Sequence, residues 1–235
     1  EGYAADLPPL GNYQLPVQSL LVATEPLPES VWAEIGLDKG QAFSEFSRQV
    51  TYGQRTPDNR LAFGARGGYR FGGKLRNDFS LTNDEVELRR YLFSELFPQL
   101  KDVRITHTWG GNLGMSRRFH PHMLIDRRNG IALAGGYGGE GVGATNLGGR
   151  TLADLILGQD SALTRQPWVI NDRSVQDGLR GWEPEPCRWL GYNAIIRSFV
   201  HEDDVLANPN SAPWRRRLAE KVAATMENLM TWKVG

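Results

Sequence analysis

The chain has 235 residues, 40% of them apolar, with 27 basic and 27 acidic side chains, enough to bury a substantial core in one large domain or two small ones. Balanced charge leaves no global field for nucleic acid or anionic lipid, so a charged ligand needs a local pocket. The single Cys187 excludes an internal disulfide, no Cys and His cluster has zinc spacing, and no apolar run approaches the ~20 residues that cross a bilayer. The expectation is a cytoplasmic protein with no metal, membrane or nucleic-acid partner.

In chain order, residues 14–24 (QLPVQSLLVAT) alternate as a strand and LPESVWAEIG reads as a short helix or turn. FSRQVTYGQRT, the turn signal Pro57-Asp58-Asn59 and RLAFGA predict a β-hairpin. Thr82 and Glu85 form a capping box ahead of VELRRYLFSELF, a helix that Pro98 stops. KDVRITHTWGG returns as a strand. NGIALAGG is a further short strand, followed by a glycine-dense loop and a helix from about Glu140 to Leu157, closed by Gly158. After Pro167 comes a stretch rich in Trp, Pro and Arg (WEPEPCRWLGY), and an amphipathic helix from Pro213 ends the chain. The fold class expected is α+β, a mainly antiparallel sheet with helices on one side.

Gly136-x-Gly138-x-x-Gly141 follows a predicted strand and opens a predicted helix, the context of a dinucleotide fingerprint. Bare N–H groups at a helix N-terminus suit an anionic oxygen. The continuation GQDSALTRQPWV, with no second buried strand ending in an acidic residue, argues against a Rossmann unit. Tight packing of a strand-to-helix turn is the competing reading. The run of Gly135, Gly136, Gly138, Gly139, Gly141, Gly143 and Gly148, with Gly149 at its edge, favours close approach to a ligand.

ITHTWGGNLGMSRRFHPHM followed by NGIALAGGYGGEGVGATNLGGRTLADLILG resembles the C-terminal signature of the D-amino-acid oxidase family, which includes glycine and sarcosine oxidases and γ-glutamylputrescine oxidase. EGYAADLPPL resembles the segment after that family's last FAD-domain strand, and the stretch from Pro16 to Gly64 the start of its substrate domain. At the turn, Ser116 stands at the usual Thr, Arg118 at the usual Asp, and His122 with Met123 follow Pro121 where Ile-Gly is common. The resemblance implies FAD, a small-molecule amine or amino-acid substrate, and a fragment whose N-terminal FAD-binding half is missing. It implies a substrate-binding domain over 1–128, a FAD-domain strand, loop and helix over 129–158, and an extension over 159–235.

The resemblance further implies that Gly136, Tyr137, Gly138, Gly139, Glu140, Gly141 and Val142 meet the pyrimidine end of the flavin, with Glu140 turned away from the ring. Hydride transfer from the carbon beside the nitrogen, then imine hydrolysis, is the implied reaction, and the fragment alone is expected to be inactive and to bind FAD weakly or not at all. Tyr52 and Trp109 either line the substrate and flavin chamber or cover the sheet. Arg118 either clamps a substrate carboxylate or belongs to a solvated basic turn. His120, or His122 two positions on, is a candidate acid or base. Two rival functions stay open: a binding or structural module of the same fold without cofactor, and a reductase using Gly136 to Gly141 for NAD(P).

Overall fold

The computed structural model describes residues 1–37, 40–48 and 50–231, apart from the Arg66 side chain. Its larger sheet is antiparallel and places β1 (Leu15–Thr24) between β4 (Leu61–Tyr69) and β5 (Ile105–Met115), with β3 (Tyr52–Arg55) and β2 (Ala42–Ser44) beyond β4. The turn between β3 and β4 is the one the sequence signals, with Asn59 in the left-handed region at φ 63°. One face carries the main core: Val22, Leu61 and Phe63 pack against Trp32 of α1 (Glu29–Ile35), Phe93 of α2 (Asn83–Leu96), and Leu100. α1 stops at Gly36, whose φ of 82° suits a residue without Cβ. α2 starts at the expected box, Thr82 accepting from the Glu85 N–H while Glu85 accepts from the Thr82 N–H.

A second sheet has the order β7-β6-β8, built from β6 (His122–Asp126), β7 (Ile131–Gly135) and β8 (Val169–Asn171). α3 (Gly141–Ile156) packs on it through Met123, Ile125, Tyr137 and Leu155. β7 and α3 match the sequence reading, whereas β6 and β8 were not foreseen: β6 is buried along its whole length and shows no alternation, and β8 has three residues. β6 runs antiparallel to β7 and parallel to β8, so the strands flanking α3 run in opposite directions. This is not the parallel βαβ unit of a dinucleotide fingerprint.

The segment beyond Gly158 holds α4 (Val175–Gly178), α5 (Cys187–Ala207) and α6 (Pro213–Thr231). α5 is absent from the sequence reading because its apolar residues are spread around the helix and two prolines precede it; Pro186 instead occupies its N-cap. Trp189 and Tyr192 of α5, with Trp182, cover Leu15, Val17, Tyr69 and Met115 at one end of the sheet's second face. Helices therefore lie against both faces rather than one.

Glu185 fixes this extension. Its carboxylate accepts from the Tyr69 hydroxyl, the Gly72 N–H at 3.0 Å and the Trp189 N–H at 3.1 Å. Glu185→Ala is expected to cost about 1–3 kcal/mol, because the buried Tyr69 hydroxyl and the half-buried Trp189 N–H lose a charged acceptor, whereas the exposed Gly72 N–H turns to water. Urea denaturation checks this, and a change below about 0.5 kcal/mol, the size of an ordinary surface substitution, contradicts the anchoring role.

Candidate functional site

Four strands carry one row of directly opposed residues: Tyr52, Gly64, Leu21 and Trp109. Opposed residues of an antiparallel sheet point to the same face, so Tyr52 and Trp109 look out on the side away from the α1 and α2 core. Gly64 permits this arrangement: a Cβ there would lie 2.4 Å from Cζ of Tyr52, so the phenol ring lies flat across the glycine. The Tyr52 hydroxyl is 2.7 Å from Oγ of Ser19, which shares the face. Trp109, on the edge strand, is 39% exposed.

Leu113 and Met115 continue the same face along β5, two and three alternations beyond Trp109, and there the glycine loop arrives. A Cβ on Gly138 would be 3.7 Å from Sδ of Met115, and one on Gly139 would be 3.4 Å from Cδ1 of Leu113. Gly136, Gly138 and Gly139 all have positive φ, at 79°, 62° and 110°, which side-chain-bearing residues avoid. Gly136 is further required by a close approach, since its Cβ would fall 2.5 Å from the His120 carbonyl oxygen. Gly141, in contrast, has ordinary φ and would meet nothing nearer than Cδ2 of Tyr137 at 3.8 Å.

The loop opens α3 with its N-terminus outward. Glu140 is the N-cap and its side chain makes no capping hydrogen bond. Val142 is 97% exposed, and Gly139, Glu140 and Gly143 are exposed too. The first-turn N–H groups thus carry the positive end of a sixteen-residue helix into open space. Tyr137 behaves differently from its neighbours. Its side chain turns into the α3 core, with the hydroxyl 2.5 Å from where a Cβ on Gly148 would be, and its N–H donates to Oε1 of Glu1 at 3.3 Å. Burial raises the pKa of the Glu1 carboxyl, against the opposing effect of the Tyr137 N–H.

Behind the loop, the His122 ring is buried against Gly135 and Gly136, and that burial lowers its pKa against the opposing hydrogen bond to the His120 main chain. The face residues Ser19, Leu21, Leu113 and Met115 escaped the sequence reading of the site. Only the strand period of β5, applied from Trp109 onward, would have selected the last two.

Arg118 and His120 lie elsewhere. They are exposed on the turn after β5 and line a cleft of about 600 Å³ shared with Tyr13, Trp168, Arg173 and Arg180. Neither Tyr52 nor Trp109 is among its lining residues. The structure therefore unites Tyr52, Trp109 and the glycine loop on one surface and sets Arg118 and His120 apart from it.

This surface fits a flat ring with an electron-rich edge: a sheet face with two aromatic side chains, bounded by a bare glycine turn and a helix N-terminus. Residues 2–155 match the family described as FAD dependent oxidoreductase. The chain belongs to that family. It is 33% identical over 168 residues to the probable oxidoreductase OrdL of Haemophilus influenzae, covering 69% of this chain and 36% of that protein. It is 30% identical over 154 residues to the gamma-glutamylputrescine oxidoreductase of Escherichia coli, covering 64% and 33%. The chain thus spans about a third of the length of these curated relatives. Among solved structures it is similar to glycine oxidase from Geobacillus kaustophilus, with a TM-score of 0.55 at 20% identity over 74% of this chain and 44% of that one. It is also similar to L-proline dehydrogenase from P. horikoshii, with a TM-score of 0.51 at 23% identity over 65% and 38%. Both likenesses concern the fold.

Proposed function

We propose that this chain is the substrate-facing part of a FAD-dependent oxidoreductase that oxidises an amine or amino acid. The observation that carries the reading is the meeting of the glycine loop with the Tyr52 to Trp109 face through Gly139 and Leu113. In the intact enzyme FAD, when bound, would supply the acceptor for a hydride from the carbon next to the nitrogen of the substrate. Everything else falls to the protein. The N–H groups of Gly139, Gly141 and Val142 stabilise negative charge that develops during reduction, while the Glu140 N–H is spent on the Tyr137 carbonyl at 3.0 Å; a helix N-terminus supplies fixed donors that need no reorganisation. Leu21 and Leu113 exclude water from the reacting carbon. The Tyr52 hydroxyl, paired with Ser19, holds a polar group of the substrate, and Trp109 closes the open edge.

The rest of the cofactor site is proposed to come from an N-terminal FAD-binding half. β7 is an edge strand, and the apolar residues Val142 and Ile156 on α3 are exposed, a surface suited to that half. Residues 1–128 then serve the substrate, 129–158 face the cofactor and 159–235 brace the fold, with β6 lying between β7 and β8 in one sheet.

The test uses the protein together with that half. Visible absorbance reports bound flavin, and a panel of amines and amino acids is screened for flavin reduction and peroxide release. Trp109→Ala is expected to raise KM about tenfold, a loss near 1.4 kcal/mol of substrate contact, with flavin content retained. A colourless protein, or no flavin reduction by any amine, overturns the reading.

A further inference from the structure

We propose that the cleft behind the glycine loop is a second ligand site, which takes a small multiply charged anion bearing carboxylate or phosphate groups. The chain as a whole is electrically neutral, yet Arg117, Arg118, Arg173 and Arg180 line this cleft against the single acidic side chain of Asp177. Asp177 is already engaged, its carboxylate accepting from the Ser174 hydroxyl at 2.7 Å. Arg117 is engaged as well, by a bidentate contact in which Nε and Nη2 each donate to the Glu183 carboxylate at 2.9 Å, and by the Trp182 ring. Arg173 and Arg180 add the positive charge on which the site rests, Arg180 lying also in the field of the Glu183 carboxylate.

Arg173 and Arg180 approach the cleft from the two ends of the short α4 segment, and both are exposed. Planar guanidinium forks suit carboxylate and phosphate oxygens bidentately, and a cleft lined by one sign of charge concentrates the field on its contents. Tyr13 and Trp168 line the cleft with the arginines. The volume of about 600 Å³ admits a molecule the size of a di- or tricarboxylate or a pyrophosphate with space for water.

The site's place in the fold gives it a route to the cofactor surface. One turn separates the two. Its main chain touches Gly136 through the His120 carbonyl, while Arg118 and His120 line the cleft. β5 enters that turn at Met115, against which Gly138 packs. An anion drawn to the cleft thus bears on the segment that supports the loop.

Isothermal titration calorimetry of the protein with pyrophosphate and, separately, citrate, at constant ionic strength and pH, tests the site without recourse to the flavin. Saturable one-site binding of at least one probe is expected, weakened about tenfold or more in the double variant Arg173→Ala/Arg180→Ala, since charge-assisted hydrogen bonds are lost. Arg165→Ala, which removes a guanidinium paired with Asp160 away from the cleft, leaves the affinity unchanged. A stronger response to pyrophosphate identifies a phosphate-bearing ligand, and one to citrate a polycarboxylate. No saturation by either probe, or equal affinity in the double variant with its thermal midpoint intact, overturns the proposal.

Discussion

Gly139→Val is expected to abolish most flavin binding, whereas Gly141→Val lowers flavin occupancy or the rate of flavin reduction and leaves the fold intact. The two glycines differ in what they permit. Gly139 has φ 110°, where a β-branched residue is strained by about 1–3 kcal/mol, and its Cβ would press on Leu113. The loop must move, and with it the N–H donors that face the proposed ring. Gly141 meets only ordinary contacts at 3.8 Å and beyond and lies at the start of α3, where valine is tolerated. Its substitution adds a branched side chain in front of the donors without disturbing their scaffold. Visible absorbance, stopped-flow reduction and the thermal midpoint, measured on both variants, separate these effects. Full flavin content and full activity in both would refute the assignment of the loop.

Arg89→Ala is expected to destabilise the protein by about 3 kcal/mol, lowering the thermal midpoint by about 6–12 °C. Arg89 is almost wholly buried on α2, and its guanidinium donates to the carbonyls of Leu20 and Ala65, each at 3.2 Å, and of Glu85 at 2.9 Å. The first two belong to β1 and β4, near the register shift between Val17 and Ser19. Removing the side chain strands those carbonyls and opens a cavity. Burial lowers the Arg89 pKa, a sign that desolvation of the cation already offsets part of the gain. Arg89→Met, which keeps the stem volume and discards the charge, should recover about half of the loss. If Arg89→Ala unfolds at the wild-type midpoint, the guanidinium is not what secures the sheet beneath Tyr52 and Leu21.

Much of the local structure was legible from the sequence because it rests on local physics. The capping box at Thr82 and Glu85, the hairpin turn at Asn59 and the glycine that ends α1 each involve residues a few positions apart, and each forms as its chemistry demands. The motif from Trp109 to the glycine loop was enough to suggest the family to which residues 2–155 belong. β6 and α5 were not legible, since an element buried on both sides, or one whose apolar residues are spread around it, loses the periodicity that reveals an amphipathic one.

The composition of the site was a tertiary matter. Tyr52, Leu21 and Trp109 are dozens of residues apart in the chain and share a row only through strand register, which is set by pairing across β3, β4, β1 and β5. Tyr137 sits within the glycine motif, yet the space beside Gly148 draws its ring into the core. Arg118 and His120 stand within a dozen residues of Trp109 in sequence, but the turn after Met115 carries them to a different cleft. The sequence alone determined the local elements, the family signature and the residue types available for chemistry. Which of those residues meet was decided by long-range pairing and packing, because a side chain's direction depends on neighbours that sequence distance does not disclose.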